Sequence, residues 1–525
     1  MSIIKKLASQ TAIYGIPTMV GRFLNYLLVP IYLQKLSGTA DYGVVSVMFT
    51  YASFMAIVVS LGMETAFFRF AKLTNEPARV LATASHTLIF LGLGFILATQ
   101  WLAVPIMEFI GYPYHPEYAV WFAIILSADA LASLGFAWLR QQNKAWKFAT
   151  IRITNIGINI AANLFFLIVC PWLSQQPYFQ NTTEHSPWIT QFALWLQLQS
   201  LPMQMVANIF ISNLIASIIT VLLFGKIWKN LTLGLDYDLL KPMLKYSLPL
   251  IIVGLAGMAN ETLDRIFLKN LLPSETADSE IGIYGAFYKL SLVLTLFIQA
   301  FRFAAEPFFF SKSGDKDAPQ TYANVMRYFV YVTGGIFIVT MAIMPWLSPL
   351  LLRKPIYYQN SNGVFIIPIL LLANLCLGLY YNLSIWYKLS GHTKMGAAVA
   401  GIGAMITIIG NYYGIPEYGF TASAVTTLAA YGFMVIVAYL AGQKFYPVPY
   451  QLPLLLMLLV VATLPITVLY YNPLEWGEYQ LNVGRLAAVA LFATVIFLVE
   501  KWVPKIPMAE GKSKMNQSDL DNTTT

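Results

Sequence analysis

The chain has 525 residues, of which 58% are hydrophobic and only 11% charged, and its formal net charge is +8. A soluble protein of this length carries roughly a quarter charged residues, so a water-soluble enzyme is excluded. The positive excess does not make a nucleic-acid surface either, because the basic residues lie in short clusters between apolar runs.

Apolar runs of about 20 residues, the length that crosses a bilayer, recur from end to end. In chain order the first six predicted spans are Thr11–Leu33, Tyr42–Gly62, Val80–Ile106, Glu117–Leu139, Thr150–Cys170 and Gln204–Phe224. After a charged link come Tyr246–Leu268, Ile281–Ala305, Ala323–Leu351, Asn362–Tyr387, Met395–Tyr412 and Gly419–Gln443, then a last pair, Leu452–Tyr471 and Leu481–Val503. The first run follows Lys5 and Lys6 and has no small-residue cleavage site after it, so it reads as a retained anchor and not a signal peptide. Cys170 and Cys376 fall inside apolar segments, which argues against a structural disulfide. The tail after Lys505 is polar and aperiodic, and is expected to be disordered.

Placing the N-terminus in the cytoplasm puts most basic residues on one side: Lys5, Lys6, Arg69, Lys72, Arg79, Arg140, Lys144, Lys147, Arg152, Lys226, Lys229, Lys241, Lys245, Lys312, Lys316, Arg327, Lys388, Lys394 and Lys444. The other side receives Lys35, Lys269, Arg353 and Lys354. The positive-inside rule therefore predicts that both termini are cytoplasmic, with an even number of helices, about fourteen.

The chain also repeats itself. Tyr14-Gly15-Ile16-Pro17 at the start of the first span matches Tyr246-Ser247-Leu248-Pro249 at the start of the seventh, and Asp41-Tyr42-Gly43 matches Ile283-Tyr284-Gly285. Tyr42 and Glu64 stand at the same interval as Tyr284 and Glu306, and the segments after these acids are alike, Glu64-Thr65-Ala66-Phe67-Phe68-Arg69 against Glu306-Pro307-Phe308-Phe309-Phe310-Ser311. Six helices separate the copies, so they share one orientation, a parallel repeat of the kind found in two-lobed transporters whose substrate passes between the lobes.

At these residues the chain resembles an O-antigen-type polysaccharide flippase of the multidrug/oligosaccharidyl-lipid/polysaccharide (MOP) exporter superfamily. The resemblance is carried by Arg22, Pro30, Tyr42-Gly43, Gly62-Met63-Glu64 and Phe68-Arg69, and by Asp264-Arg265, Gly282-Ile283-Tyr284 and Glu306-Pro307. It implies an all-α integral membrane fold with two pseudo-symmetric six-helix lobes (residues 1–228 and 229–444), a helix pair (445–504) and a cytoplasmic tail (505–525). It further implies alternating access and a cargo of undecaprenyl-pyrophosphate-linked oligosaccharide, moved from the cytoplasmic to the periplasmic leaflet of the bacterial inner membrane. The outside segment Pro171–Pro202, rich in Gln and aromatic residues, departs from that pattern and has no assigned role.

A charge at the bilayer centre costs at least about 2.5–3.5 kcal/mol, so each one requires a reason. Arg22 lies midway along the first span; it either meets a pyrophosphate across a hydrated cavity, with Asn25 beside it, or is held in a structural ion pair. Glu261, Asp264 and Arg265 share neighbouring faces of the seventh span, where Glu261 and Arg265 have pairing distance in sequence. Lys289 at similar depth on the eighth offers a second partner for Asp264. Arg302 and Glu306 form another i, i+4 pair near the inner face. Arg69 is placed to attract an anionic head group at the cytoplasmic entrance, and it also serves orientation. Asp129, alone in the fourth span, is a candidate H+ or Na+ site, and Glu64 is grouped with these acids as a coupling or pairing residue. Glu500 sits at a helix end and reads as interfacial.

His86, His115, His185 and His392 show no metal-ligand spacing, and no nucleotide-binding loop is present, so neither cofactor nor metal is expected. The pairs Gly92/Gly94 and Gly401/Gly403 suit close helix packing. The alternatives are a cation-coupled multidrug exporter or a peptidoglycan-precursor flippase of the same superfamily. A membrane polysaccharide polymerase fits less well, because the segment Pro171–Pro202 holds one acid, Glu184, and no Lys or Arg. Expected partners are the lipid-linked substrate, membrane lipids, a coupling ion and polysaccharide assembly proteins, with no nucleic acid.

Overall fold

The computed structural model describes residues 20–21, 23–180, 186–229, 231, 234–312, 315–390, 392–471 and 478–504. These residues form helices and no strands. In order the helices are α1 (residues 23–35), α2 (Thr39–Ser60), α3 (Met63–Thr74), α4 (Pro77–Trp101), α5 (Ala103–Ile110), α6 (Pro116–Gln141) and α7 (Ala145–Leu164). A π-helical turn, Phe165–Val169, leads into α8 (Cys170–Ser174), followed by α9 (Pro177–Gln180), α10 (Pro187–Gln199), α11 (Pro202–Leu223) and α12 (Gly225–Lys229). Then come α13 (Tyr237–Leu271), α14 (Ser274–Lys312), α15 (Ala318–Leu352), α16 (Pro355–Tyr358), α17 (Ser361–Leu383), α18 (Ile385–Leu389), α19 (Thr393–Tyr418), α20 (Phe420–Phe445), α21 (Leu452–Tyr471) and α22 (Glu478–Trp502).

Thirteen membrane-crossing stretches lie among the described residues, and α1 carries part of the first predicted span, in keeping with about fourteen. The chain is a multi-pass membrane protein. Its helices overrun the predicted apolar stretches: α13 begins at Tyr237 where the span begins at Tyr246, and α14 reaches Lys312 where the span ends at Ala305. Hydropathy marks the part that must face lipid, whereas backbone hydrogen bonding continues into the polar flanks. The predicted span Val80–Ile106 is two helices, α4 and α5. The segment Pro171–Pro202 holds α9 and α10, with residues 181–185 outside the described set.

By their contacts the helices form two compact units. The first comprises Met1–Ala300, Met344–Asn374 and Ala397–Met434. In it α4 packs on α6, α6 and α7 on α11, and α2 on α13. Small residues admit these approaches: Gly92 of α4 faces Ser127 of α6, and Gly135 of α6 receives the Phe224 ring. Gly403 likewise packs against Met434, while Gly94 and Gly401 face open space. From Ile281 to Tyr288 every residue of α14 is buried, so this helix is enclosed on all faces.

The tightest approach joins the two halves of the repeat. A Cβ on Gly282 would stand 1.8 Å from the Thr39 carbonyl oxygen, and one on Gly43 would stand 1.9 Å from that of Asp278. The hydroxyls of Thr39 and Ser279 meet at 2.5 Å, and Gly285 faces Ser46 and the Tyr42 ring. Helices α2 and α14 therefore touch backbone to backbone through the Tyr-Gly motifs. At the other end, α2 breaks at Leu61 (φ 48°) and Gly62 (φ 61°), and Gly62 lies against Ser247 of the Tyr246–Pro249 motif.

The second unit comprises Phe301–Ile343, Leu375–Gly396 and Val435–Thr525. Its buried Arg327, on α15, donates to the carbonyl oxygens of Val499 and Val503 at 3.2 Å and of Pro504 at 3.4 Å. The last carbonyls of a helix lack intrahelical donors, so this arginine caps α22. Glu500 accepts from Tyr331 at 3.0 Å and lies 3.3 Å from Arg327. Arg327 is thus a structural cap, and Glu500 is its counter-ion, not simply an interfacial residue.

Gly282→Ala and Gly43→Ala are expected to lower thermal stability in detergent by at least about 1–3 kcal/mol through overpacking. Gly94→Ala, with nothing within 4 Å, is expected to leave it unchanged or raise it. Melting curves of the purified variants check this.

Candidate functional site

A cavity of about 450 Å³ opens within the first unit, walled by α1, α2, α7, α11, α13 and α14. The repeat explains its position. Where α2 and α14 touch at Gly43 and Gly282 there is no room for side chains, and further along the same helices Phe49, Thr50, Leu292 and Gln299 stand apart and line open space. On the far side of that contact the end is sealed. Asp278 accepts from Tyr112 at 2.7 Å and from Lys269 Nζ at 2.9 Å, with the ammonium 4.2 Å from the Tyr112 ring centre. Lys354 donates to the Leu36 carbonyl on the same face of the unit.

Among the described residues, three charged ones line the cavity: Glu261, Arg265 and Lys289. Arg265 is the best anchored. Its guanidinium bonds Asp264 Oδ1 at 2.9 Å and lies 4.6 Å from the Tyr288 ring centre, while Asp264 Oδ2 accepts from Tyr284 at 2.5 Å. Asp264 is 4% exposed and Arg265 7%, so the pair is withdrawn from bulk water and held by neighbouring aromatics. The expected side-chain pairing of Arg265 with Glu261 does not form; at Glu261, Arg265 reaches only the backbone carbonyl, at 3.4 Å. Nor is Lys289 the partner of Asp264 among the described residues; Arg265 and Tyr284 hold that carboxylate. Glu261 and Lys289 are therefore left facing the cavity, which carries one more positive than negative lining residue.

The polar lining extends beyond the predicted residues. Asn25 lines the cavity, as does Tyr26, whose buried hydroxyl has no hydrogen-bond partner among the described residues. Asn155, Asn159 and Asn163 recur every fourth residue on α7. Asn155 donates to Thr220 at 2.7 Å, Asn159 to Asn213 at 3.4 Å and Asn163 to Asn159 at 2.7 Å, and Tyr32 donates to Asn163 at 2.9 Å. This ladder brings Asn159, Asn213 and Tyr32 to the cavity wall. The i, i+4, i+8 spacing of asparagines in an apolar segment is the sequence signal that marks it.

Several predicted residues lie elsewhere. Arg22 and the side chain of Glu306 are outside the described set, so the expected Arg302–Glu306 pair is outside it too. Arg302 is exposed in the second unit, 4.5 Å from the Tyr381 ring centre. Arg69 is exposed and lies 4.1 Å from the Tyr246 ring centre. Glu64 pairs with Arg140. Asp129 sits on α6 beside Ser217 and Arg152, away from the cavity lining. No metal-ligand cluster of His, Cys, Asp and Glu occurs among the described residues.

Removing Asp264 alone leaves a buried guanidinium without its counter-ion. Asp264→Ala is expected to destabilise by about 3–5 kcal/mol, and Asp264→Ala/Arg265→Ala by less. A double-mutant cycle on melting temperatures measures the difference.

Known proteins share this fold. Residues 189–312 match the family described as "Polysaccharide biosynthesis protein". An Lsg locus protein of Haemophilus influenzae is 22% identical over 353 residues, 66% of this chain and 75% of that protein. The lipid II flippase MurJ in its inward closed conformation shares the fold with a TM-score of 0.65 at 15% identity, over 93% of this chain and 99% of MurJ. An inward-facing multidrug resistance MATE family transporter of the MOP superfamily shares it with a TM-score of 0.60 at 13% identity, over 83% of this chain and 97% of its own. Residues 189–312 thus resemble a polysaccharide-biosynthesis family, and the chain has the multi-pass helical fold that MurJ and the MATE transporter share.

Proposed function

We propose that the chain moves an undecaprenyl-pyrophosphate-linked oligosaccharide, an O-antigen or capsule-type repeat unit, from the cytoplasmic to the periplasmic leaflet of the bacterial inner membrane. The observation that carries this reading is the cavity itself, which Arg265 and Glu261 of α13 and Lys289 of α14 line together with Asn, Gln and Tyr. A pyrophosphate suits cationic donors, and sugar hydroxyls suit amides and aromatic faces. An apolar drug would leave these polar groups unpaired.

In this reading residues 1–228 and 229–444 act as the two lobes of an alternating-access cycle, with 445–504 as an accessory helix pair and both termini in the cytoplasm. Arg22 and Asn25 join Lys289 and Arg265 in holding the head group, while Arg69 and Arg302 attract it from the cytoplasmic side. Asp129, Glu64, Glu261, Asp264 and Glu306 divide between ion coupling, by H+ or Na+, and structural pairing. Polysaccharide assembly proteins receive the cargo on the far side.

Deletion of the gene is expected to abolish the surface glycan and trap lipid-linked repeat units in the cytoplasmic leaflet. Intact glycan with new drug sensitivity would move the assignment to drug export, and single repeats already in the outer leaflet would point to a polymerase. In the complemented strain, Lys289→Gln at normal abundance is expected to cut transport by on the order of tenfold, the worth of one charge-assisted hydrogen bond. Lys289→Arg is expected to retain most of it. Equal transport by wild type and Lys289→Gln would remove this lysine from the head-group site.

A further inference from the structure

A second pocket, of about 300 Å³, lies within the first unit and away from the cavity just described. Its rim carries Lys144, Lys147 and Lys226, and Trp138, Leu81 and Ile227 contribute apolar surface. The lysines come from two separate stretches of chain, the start of α7 (Lys144 just before it and Lys147 in its first turn) and the start of α12. The positive-inside rule accounts for basic residues at this end of the helices. It does not account for three of them converging on one hollow.

Two nearby arginines are already neutralised. Arg79 pairs with Glu76 at 3.0 Å and with Asp236 at 2.5 Å, and Arg140 pairs with Glu64. Asp236 caps α13 as well, accepting from the Leu239 N–H at 3.1 Å. The Arg79 hydrogen bond and that cap hold its carboxyl below the usual carboxylate range. Among the described residues, none of the three pocket lysines forms an ion pair. Three unneutralised ammonium groups therefore border a hollow whose lining is partly apolar, at the start of the apolar stretch Ala145–Ser174, which is long enough to cross a membrane.

We propose that this pocket binds the phosphate-bearing head group of a lipid, with the lysines on the phosphate and the first part of the tail against Trp138 and Leu81. Lysine serves phosphate as a point charge on an apolar stem, which suits a ligand that is anionic at one end and greasy at the other. Basic pockets between membrane helices recognise anionic head groups on the same principle. Two lipids present this chemistry, an anionic diacyl phospholipid and a polyprenyl phosphate.

Native mass spectrometry of the full-length protein in detergent tests this. The titrants are phosphatidylglycerol, undecaprenyl phosphate, zwitterionic phosphatidylcholine and inorganic pyrophosphate. One of the two anionic lipids is expected to bind at least about tenfold more tightly than phosphatidylcholine, and K144Q/K147Q/K226Q is expected to lose that preference. The charge-conserving K144R/K147R/K226R keeps it and shows that the site tolerates substitution. A preference for the polyprenyl lipid would identify a waiting site for cargo, and a preference for the diacyl lipid a structural lipid site. Unchanged lipid adducts in the glutamine variant, or binding of free pyrophosphate without either lipid, would overturn the proposal.

Discussion

The backbone contact of α2 with α14 is the constraint from which the site follows. Gly43 and Gly282 allow a carbonyl of each helix to occupy the place of a side chain on the other. Two helices that touch at one point and diverge beyond it enclose a space, and the cavity lies along the diverging part. Between membrane helices there is little hydrophobic drive, since lipid is as apolar as leucine, so close packing of small residues carries the association. Polar ties around Asp278 reinforce the contact where side chains meet water.

The charges show a division of labour. Asp264 and Arg265 are adjacent in sequence, and one carboxylate oxygen serves the guanidinium and the other the Tyr284 hydroxyl, so Asp264 fixes Arg265 at the cavity wall. Glu261 and Lys289 are not consumed in this way and face the cavity. An anchored guanidinium is held in one orientation, whereas Glu261 and Lys289 line the cavity without such a clamp. The same contrast separates Arg327, whose guanidinium is committed to the end of α22, from the three lysines around the second pocket.

The asparagine ladder on α7 adds a third kind of group. Amides hydrogen-bonded in series keep an apolar helix from exposing lone polar atoms, and they present donors and acceptors to the cavity without net charge. Such a wall suits the hydroxyl-rich, phosphate-bearing ligand proposed above, with the cations as the partners of its phosphate.

The sequence by itself determined the solvent, the number of spans and the fold class, because about twenty apolar residues have one stable use in a bilayer. It also showed the repeat, since equal spacing of Tyr-Gly and Glu motifs survives in one dimension. Partner choice among neighbouring charges was not legible there: spacing favours Glu261 for Arg265, and packing awards it Asp264. Nor did the sequence show that the two Tyr-Gly motifs meet each other, that Arg327 caps a helix far along the chain, or that Lys144, Lys147 and Lys226 share a pocket. Hydropathy depends on local composition, whereas pairing depends on rotamer, depth and the residues that other helices bring alongside, and only the tertiary structure decides those.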